Sequence, residues 1–250
     1  MLKAFIHQLK NRLPATSSVQ YNDVVLPPPH RRWCGPEFRD NAYFLDSAVN
    51  EAKRLKTLLG CTPQSRVLDV GCGFGRLPIG MLQVFDLDSY VGVDVHKQSI
   101  KWCERFIERN NPNYRFQHLN IINARYNRKG VELKDGFQFP LDSESVDIIY
   151  LFSVFSHMTV EDMRVYLKDF FRILVRGGRV FFTAFIEEDV SDVSINPVDY
   201  LFEQYSGPLH VVRYNRNYLF KLVNEIGFTV SNFIHGSETD KQSGLYLKKL

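Results

Sequence analysis

Cysteine is scarce in this chain, and the four present are scattered as Cys34, Cys61, Cys72 and Cys103. None forms a CxxC pair and no histidine cluster stands beside them at metal-ligand spacing, which argues against a disulfide framework and against a structural zinc site. Free thiols suit a reducing cytosol, so a cytoplasmic location is expected. Long hydrophobic runs are also missing: no stretch of about 18 apolar residues occurs, so no spanning helix is expected. The N-terminus lacks a long apolar stretch followed by a small-residue cleavage site. Charge of one sign is lacking too, with 31 Lys and Arg against 28 Asp and Glu and a net charge of +3. That balance is too weak and too dispersed for a nucleic-acid footprint. The longest basic clusters, Arg31-Arg32 and Lys248-Lys249, read as solvated surface. There is no internal repeat, and no low-complexity tract beyond Pro27-Pro28-Pro29.

What the chain does have is rings: 20 Phe, 12 Tyr and 2 Trp, which can build a core or line an apolar ligand pocket. Its 250 residues suffice for one substantial α/β domain with an elaboration. Met1 to Leu13 can form an amphipathic helix, with Leu2, Phe5, Ile6, Leu9 and Leu13 on one face, that packs on the protein body. Pro14 to Asp40 reads as an extended arm or loop, since three successive prolines cannot lie inside a helix. Asn41 to Leu59 carries apolar residues at three- and four-residue intervals and reads as a helix stopped by Gly60.

From Arg66 onward short apolar runs alternate with helical stretches. Strands are expected at Arg66–Val70, Tyr90–Val95, Tyr114–Leu119, Val146–Phe152 and Arg179–Phe185. Helices are expected from Gly75 to Val84, Gln98 to Asn110 and Val160 to Leu174. Strands separated by helices of this length imply right-handed crossovers and a doubly wound, mainly parallel α/β sheet. The rhythm breaks over Ile186 to Tyr214, which is long for a connection and suits a lid or insertion. A helix over Asn217–Ile226, stopped by Gly227, and strands at Phe228–His235 and Ser243–Lys249 close the chain. One domain over 1–250 is expected: an N-terminal helical arm or cap (1–60), a core (61–185), a substrate-side insertion (186–214) and a C-terminal helix and hairpin (215–250).

The first strand of the alternating part runs Val67-Leu68-Asp69-Val70 into Gly71-Cys72-Gly73-Phe74-Gly75. Three glycines in five residues remove side chains where the chain turns from strand into helix, so a ligand can lie against the backbone near the N–H groups of the helix start. The spacing is tighter than the dinucleotide fingerprint, which makes pyrophosphate a poor match.

These residues resemble the first motif of the class I S-adenosylmethionine-dependent methyltransferases, which have a Rossmann-like seven-stranded sheet. The resemblance implies that Asp69 orients the amino acid part of S-adenosyl-L-methionine. It also implies an acid at the end of the second strand, and Asp94, 25 residues later in Val91-Gly92-Val93-Asp94-Val95, occupies that place. A carboxylate there can accept from both ribose hydroxyls. After the third strand the family has an Asp for the adenine amino group, where this chain has Leu119-Asn120-Ile121; the amide oxygen of Asn120 can still accept. Phe139 to Asp147 and Leu174 to Arg179 are similar to the later motifs, so the resemblance covers Val67 to Phe185. The cofactor-binding set it implies is Asp69, Gly71, Cys72, Gly73, Gly75, Asp94, Val95, Asn120, Ile121, Phe152 and Ser153, with no metal.

In this family the stretch after the fourth strand, Phe152 to Met158, faces the sulfonium and the methyl acceptor. His157 is the expected general base, because a neutral imidazole can take a proton from a hydroxyl near pH 7. Its bland alternative is to cap the helix starting near Thr159. Tyr21, Trp33, Phe38 and Tyr43 can cover the cofactor or simply pack; His30, Arg31, Arg32, His210 and Arg213 can meet an anionic acceptor or simply be surface; Glu187-Glu188-Asp189 can order a cation or simply be solvated. The motifs of adenine-amino, pyrimidine-carbon, magnesium-dependent catechol and arginine methylation are absent. The expectation is metal-independent transfer to a small-molecule acceptor, at oxygen with nitrogen as the alternative atom, by direct displacement. A protein or RNA acceptor, and a cofactor-binding scaffold without catalysis, remain the alternatives.

Overall fold

A computed structural model describes residues 17–198, 200–201, 204–205 and 207–250. The amphipathic segment Met1 to Leu13 therefore lies outside the described residues. The arm is not plain loop. Val19–Tyr21 (β1) and Val24–Leu26 (β2) form a hairpin around Asn22 and Asp23, both at positive φ, as a two-residue turn requires. Periodicity cannot show so short a pairing.

Helix α1 spans Asn41–Leu58 and is capped by Asp40, whose side chain accepts from Tyr43 N–H at 2.9 Å. Strand β3 (Arg66–Val70) follows, then α2 (Arg76–Val84), β4 (Ser89–Asp94), α3 (Lys97–Phe106), β5 (Tyr114–His118), β6 (Val146–Leu151) and α4 (Val160–Ile173). The remainder is β7 (Leu174–Glu187), β8 (Val193–Ile195), β9 (Val212–Asn215), α5 (Arg216–Ile226), β10 (Phe228–Ile234) and β11 (Ser243–Lys249).

The main sheet runs β10-β11-β7-β6-β3-β4-β5. Strands β5, β4, β3, β6 and β7 are parallel, and β11 lies antiparallel between β7 and β10. This is the expected doubly wound sheet, and its topology reverses between β3 and β6, where a crevice opens at the carboxyl ends of the strands. Alternate residues feed two cores. Leu68, Val70, Ile149 and Leu151 face Met163, Phe170 and Leu222, while Val67, Ile148 and Tyr150 face Ala48, Leu77 and Trp102. Burial on both faces explains why these strands read as continuous apolar runs.

Two expectations need correction. Strand β7 begins at Leu174, not Arg179, because α4 ends directly into it and a register shift against β6 between Val146 and Ile148 absorbs the Arg176-Gly177-Gly178 segment. The insertion is not loop throughout: β7 runs on so that Phe185–Glu187 pairs in parallel with Arg213–Asn215, and β8 pairs with β9. Their partner is the far end of β7, a long-range contact invisible to local pattern.

The two basic clusters are not both solvated. Arg32 is buried and its guanidinium donates to the carbonyls of Pro27 and Asp40 and to Asn41 Oδ1, stapling the arm to α1. Lys249 is buried too, its ammonium donating to the carbonyls of Phe171 (2.8 Å) and Leu174 (2.7 Å), where the end of α4 leaves carbonyls unsatisfied. No described helix is long and apolar enough to cross a membrane.

Candidate functional site

A cavity of about 1290 Å³ opens in the crevice. It is lined by the glycine turn after β3, the end of β4, the loop after β5, the stretch after β6, part of the arm and residues 208–210. A single bound organic molecule fills roughly 300–1,000 Å³ of pocket, so this space suits a cofactor together with a second ligand.

The turn earns its glycines by contact. Gly71, Gly73 and Gly75 all have positive φ. A Cβ on Gly71 would strike Val154 Cγ2 at 2.4 Å, whereas a Cβ on Gly73 would meet no protein atom within 4 Å. Gly73 therefore faces open cavity, a cradle that a side chain would fill. The N–H groups of the turn are spent inside the protein: Gly71 and Cys72 donate to Val93 O, Gly75 to Cys72 O, and Gly73 to Asp94 Oδ2 at 2.8 Å. These four amides are thus taken by β4, Asp94 and the turn's own backbone, and the open space at Gly73 is what lets a ligand lie close to the turn.

Asp94 is 8% exposed and also accepts from His96 N–H at 2.6 Å. Its burial raises its pKa against the pull of these bonds. A carboxylate has about four acceptor positions, so two remain for a diol. Asp69 is 2% exposed, takes a hydrogen bond from the Tyr90 hydroxyl, and is pushed up to about 7, chiefly by burial. Cys72 is buried, its thiol pushed up by burial and by Cys103. Val95, Ile121, Phe152 and Ser153 all line the cavity.

Asn120 does not. It is exposed, and its Oδ1 accepts from Asn127 Nδ2 at 3.2 Å in a small side groove. Leu119 and Ile121 line the cavity instead. The alternation of side chains along the extended segment turns the amide away from the place the motif position suggests.

Ser153 sits at φ 57, a left-handed conformation rare for a residue with a side chain. Its backbone N–H donates to Thr183 Oγ1 at 2.7 Å, and its hydroxyl receives Gln242 Nε2 at 3.0 Å. Thr183 Oγ1 in turn donates to Gln242 Oε1 at 2.8 Å. Both partners are buried, so β7 and the turn before β11 hold the loop after β6 in its strained shape.

His157 lines the cavity, with Nδ1 3.0 Å from Leu209 O. A carbonyl only accepts, so Nδ1 carries the proton and Nε2 the lone pair. It does not cap α4: Thr159 does, accepting from Asp162 N–H at 3.2 Å. Burial first, then Arg125, pushes the imidazole down to about 4. The residue is neutral across the physiological range, yet a far weaker base than the sequence reading assumed.

Sequence reasoning missed Arg76, Tyr150, Arg125, Asp162, Tyr166 and Asp240, all of which line the cavity. Arg76 lies over the Phe152 ring, 4.3 Å from its centroid, and near Glu51, which accepts from the Tyr150 hydroxyl at 2.8 Å. A buried Glu inside a helix was the available signal. Of the aromatic candidates, Trp33 lines the cavity and packs on Phe74, His96 and Tyr126 with centroids 5.0–5.4 Å apart. Phe38 and Tyr43 pack on each other. Arg31, Arg32 and His210 line the cavity, whereas Arg213 sits over Tyr200 and bonds Ser194. The acid run is used structurally: Glu187 bonds Tyr200 and His235, and Glu188 pairs with Arg216. Among the described residues no group of three or more His, Cys, Asp or Glu is placed to hold a metal ion.

Residues 68–180 match a family described as a methyltransferase domain. The fold is similar to a SAM-dependent methyltransferase from Methanosarcina mazei, at 13% identity and a TM-score of 0.55, covering 78% of this chain and 97% of that one. It is similar to magnesium protoporphyrin IX methyltransferase from Synechocystis PCC 6803 with bound SAH, at 14% identity and 0.55, covering 84% and 88%. It is also similar to geranyl diphosphate C-methyltransferase from Streptomyces coelicolor A3(2), crystallised with Mg2+, geranyl-S-thiolodiphosphate and S-adenosyl-L-homocysteine, at 13% identity and 0.60, covering 86% and 81%.

Proposed function

We propose that the chain is an S-adenosylmethionine-dependent methyltransferase of class I, as the match of residues 68–180 to a methyltransferase domain supports, and that it methylates a small molecule, at oxygen, without a metal. The observation carrying the small-molecule reading is the cavity: at about 1290 Å³, walled by the arm, the loop after β5 and residues 208–210, it has room for a cofactor and a second compact ligand. Two of the similar structures are named for small-molecule acceptors, a porphyrin and a prenyl diphosphate.

When bound, S-adenosylmethionine supplies a methyl group already activated by the positive sulfur. Asp69, ionised above about pH 7, offers its buried negative charge to the cationic amino acid end. Asp94 holds the glycine turn through Gly73 and keeps acceptor positions for the ribose. Gly73 leaves the space in which the ligand lies against the backbone. Phe152 and Ser153 line the cavity, where they would border the acceptor and the reacting methyl, and the Thr183–Gln242 pair fixes the geometry of Ser153. Alignment supplies much of the acceleration in such a displacement. Neutral His157 would accept a hydrogen bond from the attacking hydroxyl through Nε2, orienting it, and would take its proton as the O–CH3 bond forms and the C–S bond breaks.

The test supplies the protein with tritiated cofactor and a cell extract split into small-molecule and macromolecular fractions. Label confined to small molecules is expected, and label confined to protein or RNA overturns the reading. Asp94→Ala is expected to weaken S-adenosyl-L-homocysteine binding at least tenfold by calorimetry.

A further inference from the structure

Arg125 stands in the loop after β5 and lines the cavity beside the insertion. Its Nε and Nη1 are buried and have no hydrogen-bond partner among the described residues. The guanidinium lies 5.8 Å from the centroid of the Tyr126 ring. Buried cationic donors are costly to strand without an acceptor, so such a group points to a ligand.

Four of the other five arginines that line the cavity, all but Arg39, have partners of their own. Arg32 is used up on arm carbonyls and Asn41, Arg76 faces Glu51, and Arg128 donates to Ala124 O. Arg31 has a buried unpartnered Nε, but its Nη1 is tied to Gln98 and its guanidinium lies over Phe74 of the glycine turn, the cofactor half of the space. Arg125 lies instead close to His157 and His210. It is one of the charges that depress His157, and it also depresses His210. A Cβ on Gly207 of the insertion would stand 3.8 Å from its Nη1. Arg125 and two histidines thus converge where the acceptor would sit; Asp162 and Asp240 also line the cavity, Asp240 close enough to His210 to act on its charge.

We infer that the methyl acceptor carries an anionic group, a carboxylate or a phosphate, that is seated on Arg125. This rests on the small-molecule reading above and narrows its substrate to an organic acid or phosphate ester. A guanidinium suits such oxyanions because its N–H groups are planar and permanently charged. The anion leaves a neighbouring hydroxyl of the same molecule to face Nε2 of His157.

The test is capture from a small-molecule extract by protein saturated with S-adenosyl-L-homocysteine. Retained compounds are recovered by ultrafiltration and identified by mass spectrometry, with wild type, Arg125→Gln and Arg125→Lys run side by side. Wild type is expected to enrich compounds that bind an anion-exchange resin, at least tenfold over Arg125→Gln, with Arg125→Lys intermediate. All three are expected to bind S-adenosyl-L-homocysteine within twofold of one another, which also shows that the variants are folded. Treating the extract with phosphatase separates the two anions: loss of the captured compound identifies a phosphate ester, and survival a carboxylic acid. Enrichment of uncharged compounds alone, or equal enrichment of anions by wild type and Arg125→Gln, overturns the inference and leaves the small-molecule reading standing. Loss of S-adenosyl-L-homocysteine binding in Arg125→Gln, with wild-type capture of anions unchanged in Arg125→Lys and Arg125→Gln, assigns Arg125 to the cofactor and also overturns it. Capture of nothing small overturns it as well; label entering only macromolecules in the tritium assay then shows that the broader reading has failed too.

Discussion

Asp69 is the residue on which binding and stability pull in opposite directions. Its carboxyl titrates at about 7 in the folded protein and near 4 in an unfolded chain. Between those values the folded state holds a proton that the unfolded state has released, so stability falls as pH rises from about 4 to 7. Asp69→Asn is therefore expected to stabilise the ligand-free protein at pH 8 by as much as about 4 kcal/mol, and to change little at pH 4; urea melts at the two values check this. The same substitution removes the negative charge offered to the cofactor, so S-adenosylmethionine affinity falls while stability rises. In the wild type the affinity weakens as pH drops below about 7, because the proton competes with the cation. His157 behaves differently. Held at about 4, it stays neutral from pH 5.5 to 8, and turnover at saturating cofactor is expected to show no inflection near 6.5; one there would mean that the imidazole is not buried as described. Asp69 and Asp94 were legible because a motif names their positions. Arg125 and Gln242 were not, since each acts through partners remote in sequence.

At the scale of the element, α1 and α2 approach more closely than side chains allow. A Cβ on Gly80 of α2 would lie 1.9 Å from Ala48 O of α1, so Gly80→Ala must push the helices apart. Overpacking of this kind costs about 1–3 kcal/mol, read as a shift in the urea midpoint, with Ala48→Gly failing to rescue because the clash is with backbone. Since α2 begins at the glycine turn, cofactor affinity is expected to fall as well. The loop after β6 is a second such case. Gln242→Ala removes the acceptor and donor that hold Thr183 and Ser153, and leaves Ser153 free to relax from its left-handed φ; a loss of turnover exceeding the loss of cofactor affinity is the expected signature. The core elements were readable because both faces of β3 and β6 are apolar and α4 and α5 have regular apolar spacing. The hairpin β1–β2 and strands β8 and β9 were not: each is three or four residues long, and only a partner elsewhere makes it a strand.

Over the whole molecule, the sheet divides the protein into two packed faces and leaves its functional volume at one end. The cofactor side of that volume comes from β3, β4 and their turns, which are contiguous in sequence and carry recognisable residues. The acceptor side is assembled from the arm, the loop after β5 and the insertion, three segments with no shared pattern, and it became visible only through the packing. The two tryptophans are divided in the same way. Trp102 is sealed within the core, its indole nitrogen donating to Ser17 O at 3.0 Å. Trp33 is 39% exposed and leans over the cavity between Phe74 and Tyr126. One indole is thus insulated from ligand traffic while the other looks directly onto it. Titration with S-adenosyl-L-homocysteine is expected to change the emission of the wild type and to leave that of Trp33→Phe nearly constant. The protein therefore carries its own optical gauge of occupancy, with a built-in internal reference.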